Sequence, residues 1–507
     1  MTAHHDAPAS AAPWFPRVAP RLQPRHGLLL AGLLVAYAAA VLLVVPMGIG
    51  ASWRECDTQA IARNLLVDGF DPLRPRIDWR GDTDGAVEAE FPLYQSLVAT
   101  VMAVVGEAEW PGRLISFLAM AFAAVSLHRL CVARAGPSAA LAATIAFLTG
   151  GHAFLLGARV TPDAMSVALA VAGAAAYLQY LATGKGRTLW LSAVMVTLAC
   201  LAKATALQVG LLLFLWTLVG APARLRSARP WIAFALIVGA TAAWIWHGIR
   251  LHAETGLTFG VAAAGETKFP TLRSLRNPDH WWSLLQTTAS YGFGPFGLLA
   301  LAALALRRRL DRMDLALLVV VVLGLVGTLR YSFHSGVGPQ YHAFAAVAGS
   351  WFVARAWPSR ASAPFQALFA AAALAHGCVH LAAERATRLD WLHSGFAEAG
   401  AAVAATCAPE ELAVVHGHRN RIDDYWRRRT NFEEPMLLYH ARRRGWVLPR
   451  DGFTPEQLAA LQSRGARVVV DQLPDETPAA THDWLQSNAD LVTEQRGRRI
   501  YRLRSTS

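Results

Sequence analysis

The sequence predicts an all-helical polytopic membrane domain of about 11 transmembrane helices followed by a small extracytoplasmic α/β domain. Three observations predict this. The 507-residue chain is 54% hydrophobic and only 16% charged, too apolar for an ordinary soluble enzyme. Apolar runs of span length recur from residue 27 to residue 383. Beyond Glu384 the pattern becomes mixed and polar, with short strand-like runs.

Residues 1–26, with His4, His5 and several Pro and Ala, lack the basic, apolar and cleavage regions of a signal peptide and read as a disordered cytoplasmic tail. The first span then acts as an uncleaved anchor. A span needs about 20 mainly apolar residues. Such runs lie near 27–48, 112–133, 138–157, 163–182, 230–249, 287–306, 314–330, 339–357 and 363–383. Two more lie in 188–220: as one helix at about 1.5 Å per residue it would be roughly 50 Å long, so it reads as two spans turning near Lys203. Pro92–Gly106 is apolar but only roughly 15 residues long, nearer an interfacial or re-entrant helix.

Charge sets the orientation. The formal net charge is +12, with no basic stripe interleaved with aromatics, which argues against a nucleic-acid partner. If Pro92–Gly106 does not span, Arg17, Arg21, Arg25, Arg129, Arg134, Lys185, Arg187, Arg224, Arg226, Arg229, Arg307, Arg308, Arg309, Arg312, Arg355 and Arg360 fall inside. The short outer loops keep one cation each, Arg159, Lys203 and Arg330, the asymmetry of the positive-inside rule. The N-terminus is then cytoplasmic, residues 27–383 form the membrane domain with a first outer loop at 49–111, and residues 384–507 lie outside. In that tail, strand-like runs at Leu412–Val415, Val468–Val470 and Arg499–Leu503 alternate with a helix-like Pro455–Arg464. The absence of evident repeats and the scarcity of charge within the spans weigh against a transporter.

Cys56, Cys131, Cys200, Cys378 and Cys407 show no metal-ligand spacing; at most Cys56 and Cys407 could pair. The first outer loop carries Glu55, Asp57, Asp68, Asp71, Asp78, Asp82, Asp84, Glu88 and Glu90. A loop so rich in carboxylates beside the membrane suits acid-base work. It is also compatible with Mg²⁺ or Mn²⁺ bound through oxygen, although no ligand spacing requires a divalent cation. Asp57 stands where the N-cap of the following helical pattern belongs, and a plain cap is the simpler role. Glu55 and Asp57, two apart in an extended entry, would face the same side, with an ion pair from Glu55 to Arg54 or Arg63 as the alternative.

An acidic residue after the first span is followed by Glu90-Phe91-Pro92-Leu93-Tyr94 and by Gly112-Arg113-Leu114-Ile115-Ser116. Arg159-x-x-Pro162-Asp163-Ala164 and Leu201-Ala202-Lys203 come next. In this order the motifs resemble the GT-C superfamily. Within it they resemble the bacterial branch of protein O-mannosyltransferase-like, lipid A aminoarabinose transferase-like and rhizobial galacturonosyltransferase-like proteins. The resemblance covers roughly residues 30–350, and Pro435–Tyr439 with Arg443, Gly445 and Trp446 is similar to the tails of such proteins.

It implies an inverting transferase using a polyprenyl-phosphate-linked sugar donor and a lipid, glycan or protein acceptor. A carboxylate of the first loop, Asp57 or Glu55, would accept the acceptor proton. Arg113, Arg159 and Lys203, all at outer span ends, would hold the lipid phosphate as charge builds on it; each alone is equally a snorkelling interfacial residue. Glu90, Tyr94, Asp163, His334 and Tyr341 are the further donor or acceptor contacts, Asp163 alternatively pairing with Arg159 or capping its helix and the last two alternatively anchoring the interface. Lys268, Arg273, Arg276, His280, Trp281 and Trp282 offer an aromatic and basic outer segment. Arg427–Arg429 and Arg442–Arg444 read as a solvated basic face or a contact to anionic groups. A lipid-linked-sugar carrier or flippase, in which no bond breaks, and a non-catalytic envelope scaffold are the alternatives; outer-loop carboxylates favour the enzyme.

Overall fold

The computed structural model describes residues 24–262, 270–328, 338–422 and 430–504. Over the described residues each predicted apolar run is largely helical. The chain opens with α1 (Pro24–Ala39), prolonged by a π-helical turn to Val44, then α2 (Trp53–Val67) and α3 (Leu93–Val105). The bundle continues through α4 (Trp110–Ala135), α5 (Pro137–Leu148), α6 (Gly151–Ala158), α7 (Pro162–Thr183), α8 (Gly186–Ala202), α9 (Leu207–Gly220) and α10 (Ala228–Thr255). The short α11 (Leu272–Arg276), then α12 (Pro278–Thr287), α13 (Gly294–Leu306), α14 (Arg312–Gly327), α15 (Ala343–Ala356) and α16 (Ala363–Leu392) complete it.

Among the described residues, five helices are long and apolar enough to cross a membrane, and up to seven if the bent pairs α5–α6 (61°) and α12–α13 (100°) each count as one span. The short α8 and α9 meet at Lys203, whose extended backbone ends α8, so the long apolar stretch is divided there. The helix α16 does not stop where its apolar run ends: it carries Glu384 and Arg388 onward to Leu392.

Small residues let helices approach closely. A Cβ on Gly297 of α13 would lie 2.6 Å from the Cα of Gly349 on α15. At the bundle end away from Lys203, Asp311 and Asp314 form a capping box at the start of α14. The buried Asp314 also accepts from Trp351 (2.8 Å) and pairs with Arg355 (3.0 Å), while Arg134 of α4 pairs with Asp311. Two of the cations assigned to the inner side thus tie α4, α14 and α15 together.

After α17 (Phe396–Thr406) comes the α/β unit: β1 (Leu412–His416), α18 (Met436–Ala441), β2 (Arg444–Leu448), α19 (Pro455–Ser463), β3 (Ala466–Asp471), α20 (Ala479–Asn488), β4 (Ala489–Gln495) and β5 (Arg498–Leu503). The sheet order is β2-β1-β3-β5-β4, with β1 parallel to β2 and β3 and with β5 antiparallel to β3 and β4. The predicted strands correspond to β1, β3 and β5; β2 and β4, rich in Arg, Gly or polar residues, carry little apolar signal.

Side chains alternate across a strand. Ala413 and Val415 of β1 face a core shared with Ile61, Leu65, Tyr94 and Val98 of α2 and α3, while Val414 faces α19 and α20. The edge of β2 is covered by the outer loop, where Gly81 N donates to Gly445 O (2.7 Å) and Gly445 N to Asp78 O (3.1 Å). Arg464 and Asp82 form a two-pronged pair beside it. Cys56 and Cys407 are both free and buried, so the pairing considered from sequence does not form.

Candidate active site

The helix α2 begins at Trp53 behind the cap residue Ser52, five residues before the cap position, Asp57, expected from sequence. Asp57 therefore sits inside the helix. At about 100° per residue, Glu55 and Asp57 are roughly 200° apart and face nearly opposite sides, rather than the common side that an extended entry would give.

Glu55 points into the bundle, where its carboxylate accepts from the backbone N–H of Val160 (2.8 Å) and pairs with Arg388 of α16 (3.0 Å). Neither Arg54 nor Arg63 is its partner: Arg54 pairs with Glu90 and Arg63 with Asp78. Arg388 also donates to the carbonyls of Gly48 and Ala158. This buried node fastens the end of the first span, α6 and α16 together.

Asp57 lies on the other side of α2, 3% exposed, and accepts from Trp79 Nε1 at 3.0 Å. Burial pushes its carboxyl up to about 7, against the indole hydrogen bond and the nearby Arg54, which favour the charged form. Arg54 is three residues before Asp57 and shares its face. From Arg54 a chain of alternating charge runs across the Lys203 end of the bundle. Arg54 pairs with Glu90 (2.9 Å), Glu90 with Lys203 (3.3 Å), and Lys203 with Asp163 (3.3 Å). Thr161, the cap of α7, donates to Asp163 (2.6 Å). The Lys203 ammonium stands 5.6 Å from the centre of the Tyr341 ring, and Arg54 lies 5.8 Å from that of Phe259.

The sequence-derived candidates thus fall into groups. Asp57, Glu90, Asp163, Lys203 and Tyr341 come together, with Arg54 as a member that sequence reasoning had used only as a counter-ion. Arg159 is held in a two-pronged pair with Glu384 (2.9 and 2.8 Å) and lies 4.6 Å from the Trp391 ring centre; Asp163 pairs with Lys203 instead. Arg113 donates to the carbonyls of Val41, Val45 and Pro46 (2.6 Å to each of the last two), satisfying the end of the first span. Tyr94 OH donates to Gly112 O (2.6 Å) and contacts Ser116 Oγ (2.8 Å), joining α3 to α4. His334, Arg330, Lys268 and Arg427–Arg429 lie outside the described residues. Among the described residues no group of three His, Cys, Asp or Glu side chains is arranged to hold a metal ion.

Residues 89–247 match the family model described as dolichyl-phosphate-mannose-protein mannosyltransferase. The fold is similar to that of ArnT from Cupriavidus metallidurans in the apo state, with a TM-score of 0.65 at 13% identity over 94% of this chain and 97% of that one. The same protein bound to undecaprenyl phosphate gives a TM-score of 0.62 at 14% identity and the same coverage. The archaeal oligosaccharyltransferase AglB from Archaeoglobus fulgidus, in complex with an inhibitory peptide and a dolichol-phosphate, gives 0.55 at 12% identity over 91% of this chain and 71% of that one. No curated protein sequence matches the chain. The matched segment is less than half of the chain, while the architecture over nearly its whole length is the fold shared with ArnT and AglB. With several helices long and apolar enough to cross a membrane, it is a multi-pass membrane protein.

Proposed function

We propose that the protein is an inverting glycosyltransferase that moves a sugar from a polyprenyl-phosphate-linked donor to an extracytoplasmic lipid, glycan or protein acceptor. The observation that carries this reading is the charge chain Arg54–Glu90–Lys203–Asp163 laid beside the buried carboxyl of Asp57. The undecaprenyl phosphate bound by ArnT and the dolichol-phosphate bound by AglB support a lipid-phosphate ligand.

Arg54 and Lys203 are the cations that take the departing phosphate. Glu90 and Asp163 hold them in place before it arrives, so little reorganisation is needed as charge builds. Asp57 accepts the proton of the acceptor hydroxyl as its oxygen bonds to the anomeric carbon and the bond from that carbon to the phosphate oxygen breaks. A carboxyl lifted toward neutrality by burial is a stronger base than an exposed aspartate. Arg113 and Arg159 support the site through the backbone of the first span and through Glu384, outside direct phosphate contact.

In this reading the chain lies in a bacterial inner membrane with eleven spans, residues 1–26 inside, a membrane domain at 27–383 and residues 384–507 outside. Titrating purified full-length protein with undecaprenyl phosphate tests the donor site. Lys203→Met and Arg54→Met should each weaken binding at least tenfold, whereas Arg113→Lys, which keeps a cation at the end of the first span, should bind as wild type. Equal binding by all would remove the donor assignment.

A further inference from the structure

Trp79 stands outside every motif, yet it makes the hydrogen bond to Asp57. It lies in the outer loop with its Nε1 3.0 Å from Asp57 Oδ1 and only 6% exposed. Its ring centre is 5.8 Å from that of Phe259. Two anchors fix the segment that carries it. On one side, the neighbouring Asp78 pairs with Arg63 and accepts from Asn64 (3.1 Å), both on α2 two turns beyond Asp57. On the other, Asp78 O and Gly81 N exchange backbone hydrogen bonds with Gly445 at the start of β2, and Asp82 pairs with Arg464. The C-terminal domain therefore holds the strand from which Trp79 reaches the carboxyl.

We propose that Trp79 is a positioning residue for the base, and that the C-terminal α/β domain acts on the reaction by fixing this indole against Asp57. The proposal rests on the reading of Asp57 as the base, but its geometry stands apart from that reading. An N–H aimed at one carboxylate oxygen fixes the rotamer and also favours the ionised form, and the Trp53 side chain acts on the same carboxyl in the same sense. The charged groups that act on Asp57 are Arg54 on its own helix and Asp78 from the outer loop. Arg419 of the C-terminal domain stands behind Trp53, 4.8 Å from its ring centre. Losing the indole N–H while keeping an aromatic ring removes a donor to the charged form and leaves these charges in place.

The test is pH-difference infrared spectroscopy on full-length protein in nanodiscs, which follows the C=O stretch of a protonated carboxyl, assigned to Asp57 by its loss in Asp57→Asn. In Trp79→Phe the titration midpoint should move about one pH unit toward alkaline, the size expected for one hydrogen bond to a charged group. Arg464→Gln cuts the exposed tether to Asp82 together with the contact to the Trp446 ring (5.2 Å) and should move the midpoint the same way by less. An unchanged or lowered midpoint in Trp79→Phe overturns the role of Trp79. An unchanged midpoint in Arg464→Gln overturns the coupling to the C-terminal domain, and this variant reports even where Trp79→Phe does not fold. Sugar transfer by Asp57→Asn would remove the base assignment alone, since the infrared titration does not depend on it.

Discussion

Glu55 and Asp57 have opposite surroundings and should respond differently to neutralisation. Glu55 is committed to Arg388 and to the Val160 amide. Glu55→Gln leaves a buried guanidinium without its counter-charge, a loss of about 3–5 kcal/mol, so thermal melting should fall sharply. Asp57→Asn should do the reverse. Folding holds the Asp57 carboxyl up to about 7, so the folded state binds its proton more tightly than the unfolded chain. This contribution is present at low pH and is lost as pH rises from the ordinary carboxylate range through about 7. Melting curves at pH 8 should therefore show Asp57→Asn above the wild type, the gap closing by pH 4; a variant that melts lower at pH 8 would count against the burial of this charge. Arg54 was hidden in the sequence because its role depends on where α2 begins. With the helix starting at Trp53, Arg54 and Asp57 are three apart on one face; with the start expected at Asp57, Arg54 looks like a loop residue beside Glu55.

At the level of elements, the apolar helices were legible because an apolar run of span length has few other solutions, and the division of 188–220 followed from its length and from Lys203. The partners of Arg159 and Arg113 were not legible. Glu384 lies far along the chain from Arg159 and at the end of an apolar run, and the carbonyls that Arg113 satisfies carry no sequence signal. The strands β2 and β4 were missed for a related reason: Arg444-Gly445-Trp446 and the polar β4 owe their pairing to neighbours rather than to their own propensity. Arg159 and Glu384 join the end of α6 to α16. Glu384→Gln should lower melting more than undecaprenyl phosphate affinity, measured on the same preparation by thermal unfolding and by titration. If affinity fell tenfold with melting unchanged, Arg159 would belong with the phosphate cations.

On the scale of the whole molecule, the proposed function has the membrane bundle supply cations at the ends of its helices and the loop before α3, braced by the C-terminal domain, supply the base. The orientation that makes these ends extracytoplasmic is open to direct check: reporter fusions after Arg309 should behave as cytoplasmic and fusions after Leu503 as extracytoplasmic. The central claim is that Asp57 takes the acceptor proton while Arg54 and Lys203 take the lipid phosphate. Its most direct measurement is release of free polyprenyl phosphate from a panel of polyprenyl-phosphate-linked sugars, by wild type and Asp57→Asn in nanodiscs with envelope acceptor present. The wild type should release it from at least one donor. Asp57→Asn should bind undecaprenyl phosphate as tightly yet turn over about 10²–10⁴-fold more slowly, the range for loss of a general base; near-normal release by Asp57→Asn would contradict the assignment.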